Sequence, residues 1–301
     1  MNYRITGTGS CIPDITKKNS DFLKNKFLDV DGSNIQSSNA DIIDKFKSIT
    51  GIVQRRYAPD EINSSDLAAQ AASIAIEDSK LDKETLDYII VAHNTGDISC
   101  RSGQVDTLPS IASKVKAKLK IKNPNCVAYD IICGCPGWVE GIIQAKSFIK
   151  SGMAKKCLVI GCDTLSRVLD ENDRDSMIYA DGSGAIILES DSSYDGGILS
   201  HKSATFTYDG ENDFIFYGTS YGNGTRTKSD QKFIKMQGRK VYEFALTNVP
   251  KAMKSCFDEA NCKIENLKKI FIHQANKKMD EAIINRFYRL YKTSAPEDVL
   301  P

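Results

Sequence analysis

The sequence predicts an α/β fold built around a mostly parallel β-sheet, and two alternating patterns indicate it. Short apolar runs rich in β-branched residues are typical of buried strands, and they occupy 88–94, 126–132, 157–163 and 270–276. Longer amphipathic segments alternate with these runs and predict helices over 64–80, 137–152 and 240–260. Pro250 should kink the last of these helices. Strands that alternate with helices of this length favour a parallel sheet with helices on both faces.

Two stretches of the chain share one plan, which indicates an internal repeat. Residues 77–94 and 258–276 each contain a helix end, a polar turn, a leucine and an apolar run that ends near a His and an Asn. Leu86 in the first stretch corresponds to Leu267 in the second. The offset between these two leucines predicts duplicated α/β halves over 1–190 and 191–301. Two unrelated βα turns of similar composition are the alternative, because such turns are common in α/β folds.

Composition and charge exclude several classes of function. The 301 residues carry a net charge of only +1, so no overall field attracts nucleic acid or a membrane surface. The N-terminus lacks a secretory signal and the apolar runs are too short to span a bilayer, so we expect a cytoplasmic protein. Nine widely spread cysteines indicate free thiols rather than disulfides. No metal site is expected, because Cys133 and Cys135 are the only closely spaced pair of zinc-type ligands.

Cys135 is the first candidate for a nucleophile. The buried strand at 126–132 passes through a turn containing Gly134, Cys135 and Pro136 into the predicted helix at 137–152. A thiol at a helix N-terminus faces unpaired backbone N–H groups and the positive end of the helix dipole, which stabilise a thiolate and lower the thiol pKa. The alternative is a small buried thiol that fills the turn. Cys133, on the strand side, is predicted to be a packing residue.

Five motifs in this order resemble those of the ketoacyl-ACP synthase III family of thiolase-like condensing enzymes. YDIICGCPGW and FIHQANKKM, at 129–138 and 271–279, resemble the family's two active-site segments, and three further stretches agree in order and spacing at 49–58, 164–189 and 236–246. The resemblance implies a thiolase-like fold of duplicated halves in α-β-α-β-α layers. It also implies that Cys135 is the nucleophile and His273 its catalytic partner, whereas His93 and His201 are structural.

The resemblance implies a decarboxylative Claisen condensation in fatty-acid or related biosynthesis. Cys135 would hold the acyl group of an acyl-CoA or acyl-ACP, and malonyl-ACP would lose carbon dioxide beside neutral His273. Both thioesters are substrates, so no cofactor is expected. The family's third catalytic group, an Asn in a Gly-Asn-Ser or Gly-Asn-Thr segment, would fall after Pro301, and so would the counterpart of Cys135 in the repeat. We therefore expect an incomplete second half, a truncated form and no normal condensing activity from the 301 residues alone. Asn276 does not replace the missing Asn.

Recognition of the donor and the carrier protein is implied by position alone. Arg167 lies where the family places an Arg against the coenzyme A nucleotide, although the usual adenine-stacking aromatic residue is replaced near Lys45. A basic patch for an acidic acyl carrier protein would comprise Arg239, Lys240, Lys277, Lys278 and Arg286. Ordinary solvated charge is the alternative for each of these side chains.

Family members are usually homodimers, and 103–119 is a candidate dimer contact by resemblance. Three rival functions remain open: a specialised ketosynthase that forms resorcinols or ketones, a plain acyl transferase, and a non-catalytic ketosynthase partner subunit. A papain-type Cys-His hydrolase is disfavoured, because such enzymes lack a duplicated parallel sheet.

Overall fold

The structure, a computed structural model, describes residues 2–222 and 231–300. Its strands are, in chain order, β1 (Tyr3–Cys11), β2 (Ile15–Lys18), β3 (Gln54–Tyr57), β4 (Tyr88–His93), β5 (Asp97–Ile98), β6 (Val105–Asp106), β7 (Val127–Ile132), β8 (Lys156–Thr164), β9 (Asp181–Ser190), β10 (Ile215–Gly218) and β11 (Phe233–Met236). Its helices are α1 (Asn39–Thr50), α2 (Ser64–Ser79), α3 (Ile111–Lys118), α4 (Gly137–Ser151), α5 (Gly238–Glu259) and α6 (Lys277–Arg289).

The chain forms two compact units. The first contains 1–17, 55–167 and 179–199, and the second contains 18–54, 168–178 and 200–301. The predicted halves at 1–190 and 191–301 were based on a sequence repeat, and their bounds differ from those of the two compact units. The halves stay a prediction. Across the described residues, none of the helices combines the length and apolarity needed to cross a membrane.

The main sheet of the first unit is mixed rather than mostly parallel. Its order is β1-β9-β8-β4-β7, in which β4 pairs in parallel with both β7 and β8. Strand β9 runs antiparallel to β8 and to β1. A parallel pair needs a long crossover, usually a helix. The connection from β8 to β9 holds only short 3₁₀ turns at Leu165–Val168 and Arg174–Ile178, and the chain returns antiparallel.

Helices cover both faces of this sheet, as predicted. On one face Ala68, Ala71 and Ala75 of α2 pack with α3 against Ile89 and other buried strand residues. On the opposite face α4 packs against the side chains that alternate with them along the strands, Ile90, Cys157 and Val159 among them. Side chains alternate between the two faces of a strand, so β4 is apolar on both sides, and it is buried from Ile89 to His93.

The second unit is built mainly from helices. Helices α5 and α6 pack through Leu246 and Ile283, and a second cluster gathers Ile284, Phe287 and Tyr288. Helix α5 continues through Pro250, where the sequence predicts a kink. Strands β10 and β11 pair with each other in antiparallel orientation.

The predicted strand over 270–276 is wrong. The structure has no strand between the end of α5 and the start of α6, and Phe271 is 84% exposed. In this segment the Ile270 N–H donates a backbone hydrogen bond to the Val299 carbonyl at 2.9 Å. A strand is defined by its ladder of hydrogen bonds, and no described strand lies beside this segment to supply one.

The local conformation of the repeat agrees with the offset predicted from Leu86 and Leu267. Lys80 and Asn261 both take positive φ, 56° and 53°, at the ends of α2 and α5. Short 3₁₀ turns then follow at Lys83–Thr85 and Ile264–Asn266. Each of these pairs is separated by the same distance along the chain as the two leucines, so the two copies share backbone geometry as well as sequence pattern.

Candidate active site

Cys135 occupies the predicted strand-to-helix turn. Strand β7 ends at Ile132, Gly134 takes a φ of +62°, and α4 begins directly after Pro136. The Gly137 N–H donates to the Gly134 carbonyl at 3.0 Å, which closes the turn. Glycine adopts this left-handed backbone conformation at little steric cost, so Gly134 favours the turn that presents the thiol.

Both cysteines of the turn are exposed. Cys135 is accessible, as a nucleophile must be. Cys133 is exposed as well, so its predicted packing role is wrong. The chain leaves β7 at Ile132, which is 72% exposed, and Cys133 follows on the same open edge instead of entering the core.

The pKa of the Cys135 thiol is raised, contrary to the predicted lowering. Partial burial of the thiol group is the main cause, and the negative charge of Asp163 adds to it. The dipole of α4 favours a thiolate, but desolvation and a nearby carboxylate oppose it. In the resting protein the nucleophile is therefore held mainly as a thiol, and proton removal belongs to the reaction itself.

Asn94 and Asp163 belong to this site and were missed from the sequence. The Asp163 carboxylate accepts the Asn94 backbone N–H at 2.8 Å and its side-chain Nδ2–H at 2.6 Å. Asn94 Oδ1 lies 3.6 Å from the position that a Cβ on Gly134 would occupy, so the amide stands behind the nucleophile turn. Burial raises the pKa of Asp163 to about 6.

A signal for this pair was present in the sequence. Asn94 directly follows β4 and Asp163 lies at the end of β8, while Cys135 comes shortly after β7. These three strands are parallel neighbours, and polar residues at the carboxyl ends of such strands meet at one edge of the sheet.

His93 has a structural role, as predicted. The buried ring accepts the Gly96 N–H at Nδ1, 2.9 Å away, and its Nε2 donates to Asp130 at 3.0 Å. Asp130 also accepts the N–H groups of Ile111 and Ala112 at the start of α3. These hydrogen bonds hold the pKa of Asp130 below its usual range although burial opposes them. Neither ring nitrogen of His93 is left for chemistry.

His273 lies in the second unit, in the irregular segment that leads into α6. Partial burial lowers the pKa of its imidazole, so the neutral form prevails at neutral pH. Asn276 follows as the N-cap of α6, and its Oδ1 accepts the Met279 N–H at 3.1 Å. This bond gives Asn276 a structural role and agrees with its exclusion as the third catalytic group.

A cleft of about 570 Å³ borders the His273 segment within the second unit. Ile272, Gln274 and Lys277 contribute to its wall. Asp280 also lines it, and burial raises the pKa of that carboxyl to about 6. Ile272 and Gln274, which flank His273 in the sequence, therefore both line this cleft.

Arg167 is engaged inside the first unit. Its Nη2 donates to the carbonyls of Ala58, Pro59 and Ile62, the shortest bond being 2.6 Å to Pro59. Its Nη1 lies 3.4 Å from Asp60, and only 7% of the side chain is exposed. The contact of Arg167 with coenzyme A stays a prediction. The hydrogen bonds indicate a competing role, in which Arg167 holds the 58–62 loop in place.

The five residues of the predicted carrier-protein patch all belong to the second unit. Three of them contact neighbouring groups. Arg239 Nε pairs with Glu243 at 2.9 Å, Lys240 Nζ lies 5.7 Å from the Phe214 ring, and Arg286 donates to the Leu246 carbonyl. Lys277 and Lys278 begin α6 directly after the His273 segment, and both are exposed.

Comparison with known proteins decides the family. A family profile described as 3-oxoacyl-[acyl-carrier-protein (ACP)] synthase III matches residues 129–206, which include the Cys135 turn. A beta-ketoacyl-[acyl-carrier-protein] synthase III of Fusobacterium nucleatum is 32% identical over 289 residues, which are 94% of this chain and 80% of that protein. An enzyme of the same name from Ehrlichia canis is 35% identical over 243 residues, 79% of this chain and 70% of its own length. The chain belongs to the ketoacyl-ACP synthase III family.

Solved structures of the family agree with this assignment. The 3-oxoacyl-(acyl carrier protein) synthase III of Pseudomonas aeruginosa superposes with a TM-score of 0.78 at 25% identity, covering 100% of this chain and 82% of that one. The Aquifex aeolicus enzyme gives 0.76 at 27% identity, over 99% of this chain and 83% of that one. The predicted thiolase-like fold is confirmed. The chain is a ketoacyl-ACP synthase III-like condensing acyltransferase of fatty-acid biosynthesis.

Proposed function

We propose that this condensing enzyme uses Cys135 to carry the acyl group and His273 to assist carbon–carbon bond formation. One observation supports the proposal above the others. An exposed thiol stands on a glycine-dependent turn at the N-terminus of α4, inside the segment that matches the family profile.

The first step transfers the acyl group. The Cys135 sulfur attacks the thioester carbonyl of the donor, a thioester forms on the enzyme, and the donor thiol leaves with a proton. The Cys135 backbone N–H would stabilise part of the oxyanion that develops. A covalent intermediate divides a difficult condensation into two easier steps.

The second step forms the new bond. A malonyl thioester loses carbon dioxide, and neutral His273 would donate a hydrogen bond to the enolate oxygen as charge develops. The enolate carbon then attacks the acyl carbonyl, and the Cys135 thiol is released as it regains a proton. The lowered pKa of His273 supports this role, because a neutral imidazole is the form required. Neither step uses a cofactor.

The relatives are named for acyl carrier protein, and we extend that partner to this chain as the bearer of the malonyl group. Docking is proposed on the basic patch, in which Lys277 and Lys278 lie nearest to His273 in sequence. The double change Lys277→Glu and Lys278→Glu should raise the KM for malonyl-ACP without raising that for a small malonyl thioester. Equal effects on both substrates would remove these lysines from the patch.

Self-association and location complete the proposal. We propose a cytoplasmic homodimer, and the open side of β7 offers a candidate contact. This strand ends the main sheet, and its Val127 and Ile132 side chains are 47% and 72% exposed. An apolar edge strand left uncovered invites pairing with another chain.

Intact-mass labelling tests the nucleophile directly. The full chain is incubated with a panel of acyl-CoA and acyl-ACP thioesters, and the added mass identifies the donor that is accepted. Cys135→Ser should abolish the thiol-linked adduct, whereas the matched variant Cys133→Ser should keep it. An adduct that persists in Cys135→Ser and maps to another residue would refute the assignment.

A further inference from the structure

Two exposed thiols flank a single glycine at the nucleophile turn, and the condensation uses only one of them. Of the nine cysteines, Cys100, Cys133 and Cys135 are exposed, while the other six are buried or partly buried. Cys133 and Cys135 are separated only by Gly134. A second accessible thiol so close to a nucleophile has chemical consequences whichever reaction the nucleophile serves.

Chain geometry keeps these two residues within disulfide range. Consecutive Cα atoms are about 3.8 Å apart, so residues two apart in a turn are separated by roughly 5–7 Å. Disulfides bridge Cα atoms about 4.4–6.8 Å apart. Gly134 supplies the remaining freedom, because glycine accepts a wide range of backbone angles without a Cβ clash. Both residues are exposed, and neither thiol is part of a disulfide.

We propose that Cys133 and Cys135 form a reversible intramolecular disulfide when a hydroperoxide oxidises the turn. One thiol attacks a peroxide oxygen, the O–O bond breaks, and the sulfur becomes a sulfenic acid while an alcohol or water leaves. The second thiol attacks that sulfur, the S–O bond breaks, and water leaves as the S–S bond forms. Two thiols and one hydroperoxide thus yield one disulfide, one alcohol or water, and one further water.

Such a disulfide would protect the nucleophile. A sulfenic acid that meets no thiol advances to sulfinic and sulfonic acids, which ordinary thiols do not reduce. A small ring closed around one glycine is strained and exposed, and disulfides of that kind are easily reduced. Disulfide formation is independent of the proposed function. Its consequence, a reversible loss of acyl acceptance, rests on Cys135 being the acyl carrier.

The experiment compares the full wild-type chain with Cys133→Ser and with Cys100→Ser, which removes an exposed thiol outside the turn. Each protein is treated with hydrogen peroxide, split in two, and one half is reduced with dithiothreitol. Mass spectrometry of tryptic peptide 123–146 locates any disulfide within the turn and distinguishes it from one involving Cys126. Acyl labelling of Cys135 is measured in the same samples.

In wild type and Cys100→Ser we expect peptide 123–146 to lose the mass of two hydrogens and acyl labelling to return in full after reduction. In Cys133→Ser we expect Cys135 to gain two or three oxygens and labelling to remain lost. Sulfinic acid that accumulates at Cys135 as fast in wild type as in Cys133→Ser would overturn the proposal. A disulfide that forms although no variant accepts an acyl group would uphold the dithiol chemistry and reject the proposed function.

Discussion

The two copies of the repeat share a backbone plan and differ in what surrounds them. Both have a positive-φ residue at the end of a helix, pass through a 3₁₀ turn and continue toward a histidine. In the first copy this last segment is strand β4, which pairs with β7 and β8, and the His93 ring is buried with both nitrogens hydrogen-bonded. In the second it pairs with no described strand, and His273 remains accessible. Similar sequences therefore give one structural and one candidate catalytic histidine, because the neighbours differ.

The largest effect is expected when the imidazole of His273, in the second copy, is removed. His273→Asn should lower condensation by about 10²–10⁴-fold, because the hydrogen bond to the developing enolate is lost. Acyl transfer to Cys135 should continue. Steady-state kinetics and acyl labelling of the protein measure the two steps separately. His201→Asn, which lies outside the matched motifs, is the control. Unchanged condensation in His273→Asn would contradict the catalytic role of His273.

Removing Asp130, the hydrogen-bond partner of His93 in the first copy, should lower the stability of the fold rather than impair catalysis. Asp130→Ala deprives His93 and the first two N–H groups of α3 of their acceptor. We expect the free energy of unfolding to fall by about 2–4 kcal/mol, because buried donors are left unpaired. Urea denaturation measures this loss. The exposed Asp209→Ala should change stability by less than about 0.5 kcal/mol, and a similarly small loss in Asp130→Ala would contradict the structural role.

A smaller effect is expected where the second copy enters α6. Asn276→Ala removes the N-cap bond to the Met279 N–H and should cost about 1 kcal/mol, whereas Asn276→Ser should restore most of it. Acyl labelling of Cys135 should stay close to that of wild type, because the cap acts on the stability of α6. Thermal unfolding and labelling together check this. A large loss of labelling with normal stability would contradict the purely structural role of Asn276.

The smallest effect concerns the partner of Asn94, the last residue of the first copy. Asn94 binds Asp163, whose carboxylate raises the pKa of Cys135. Asp163→Asn removes that charge, so the thiol pKa should fall and iodoacetamide should alkylate Cys135 about threefold faster at neutral pH. Below about pH 6 wild-type Asp163 is largely protonated, and the difference should shrink. His93 and Asp181 also influence this carboxyl and are left unchanged.

Cys133 in the same digest is the control for that experiment. Its alkylation rate should not change, because Asp163 acts on Cys135. Equal acceleration at both cysteines would mean that the turn had opened, and slower alkylation of Cys135 would contradict the electrostatic role of Asp163.

Local pattern was enough to predict much of the fold and the centre of the site. Three of the four strands, all three helices and the strand-to-helix turn at Cys135 follow from apolar periodicity and from the placement of Gly134 and Pro136. The direction of β9 and the absence of a strand at 270–276 did not follow. Strand direction depends on the connection that returns the chain, and a strand needs a partner that no local window contains.

The thiol's environment shows the same limit. The helix N-terminus is visible in the sequence, and it argues for a lowered pKa. The Asp163 carboxylate and the burial around the turn come from segments distant in the chain, and they reverse the direction. Asn94 and Asp163 stand at the ends of two predicted strands, but the parallel pairing of β4 with β7 and β8 is what brings those ends together beside Cys135.

By itself, the sequence determined the α/β class, the repeat that relates Leu86 to Leu267, the family resemblance and the two candidate catalytic residues. These follow from local spacing and residue type, which every stretch of chain carries within itself. Only the tertiary structure decided which histidine is buried, that Cys133 is exposed, and in which direction the pKa of Cys135 moves. Burial, hydrogen-bond partners and nearby charge are set by residues far apart in the chain, and folding alone brings them together.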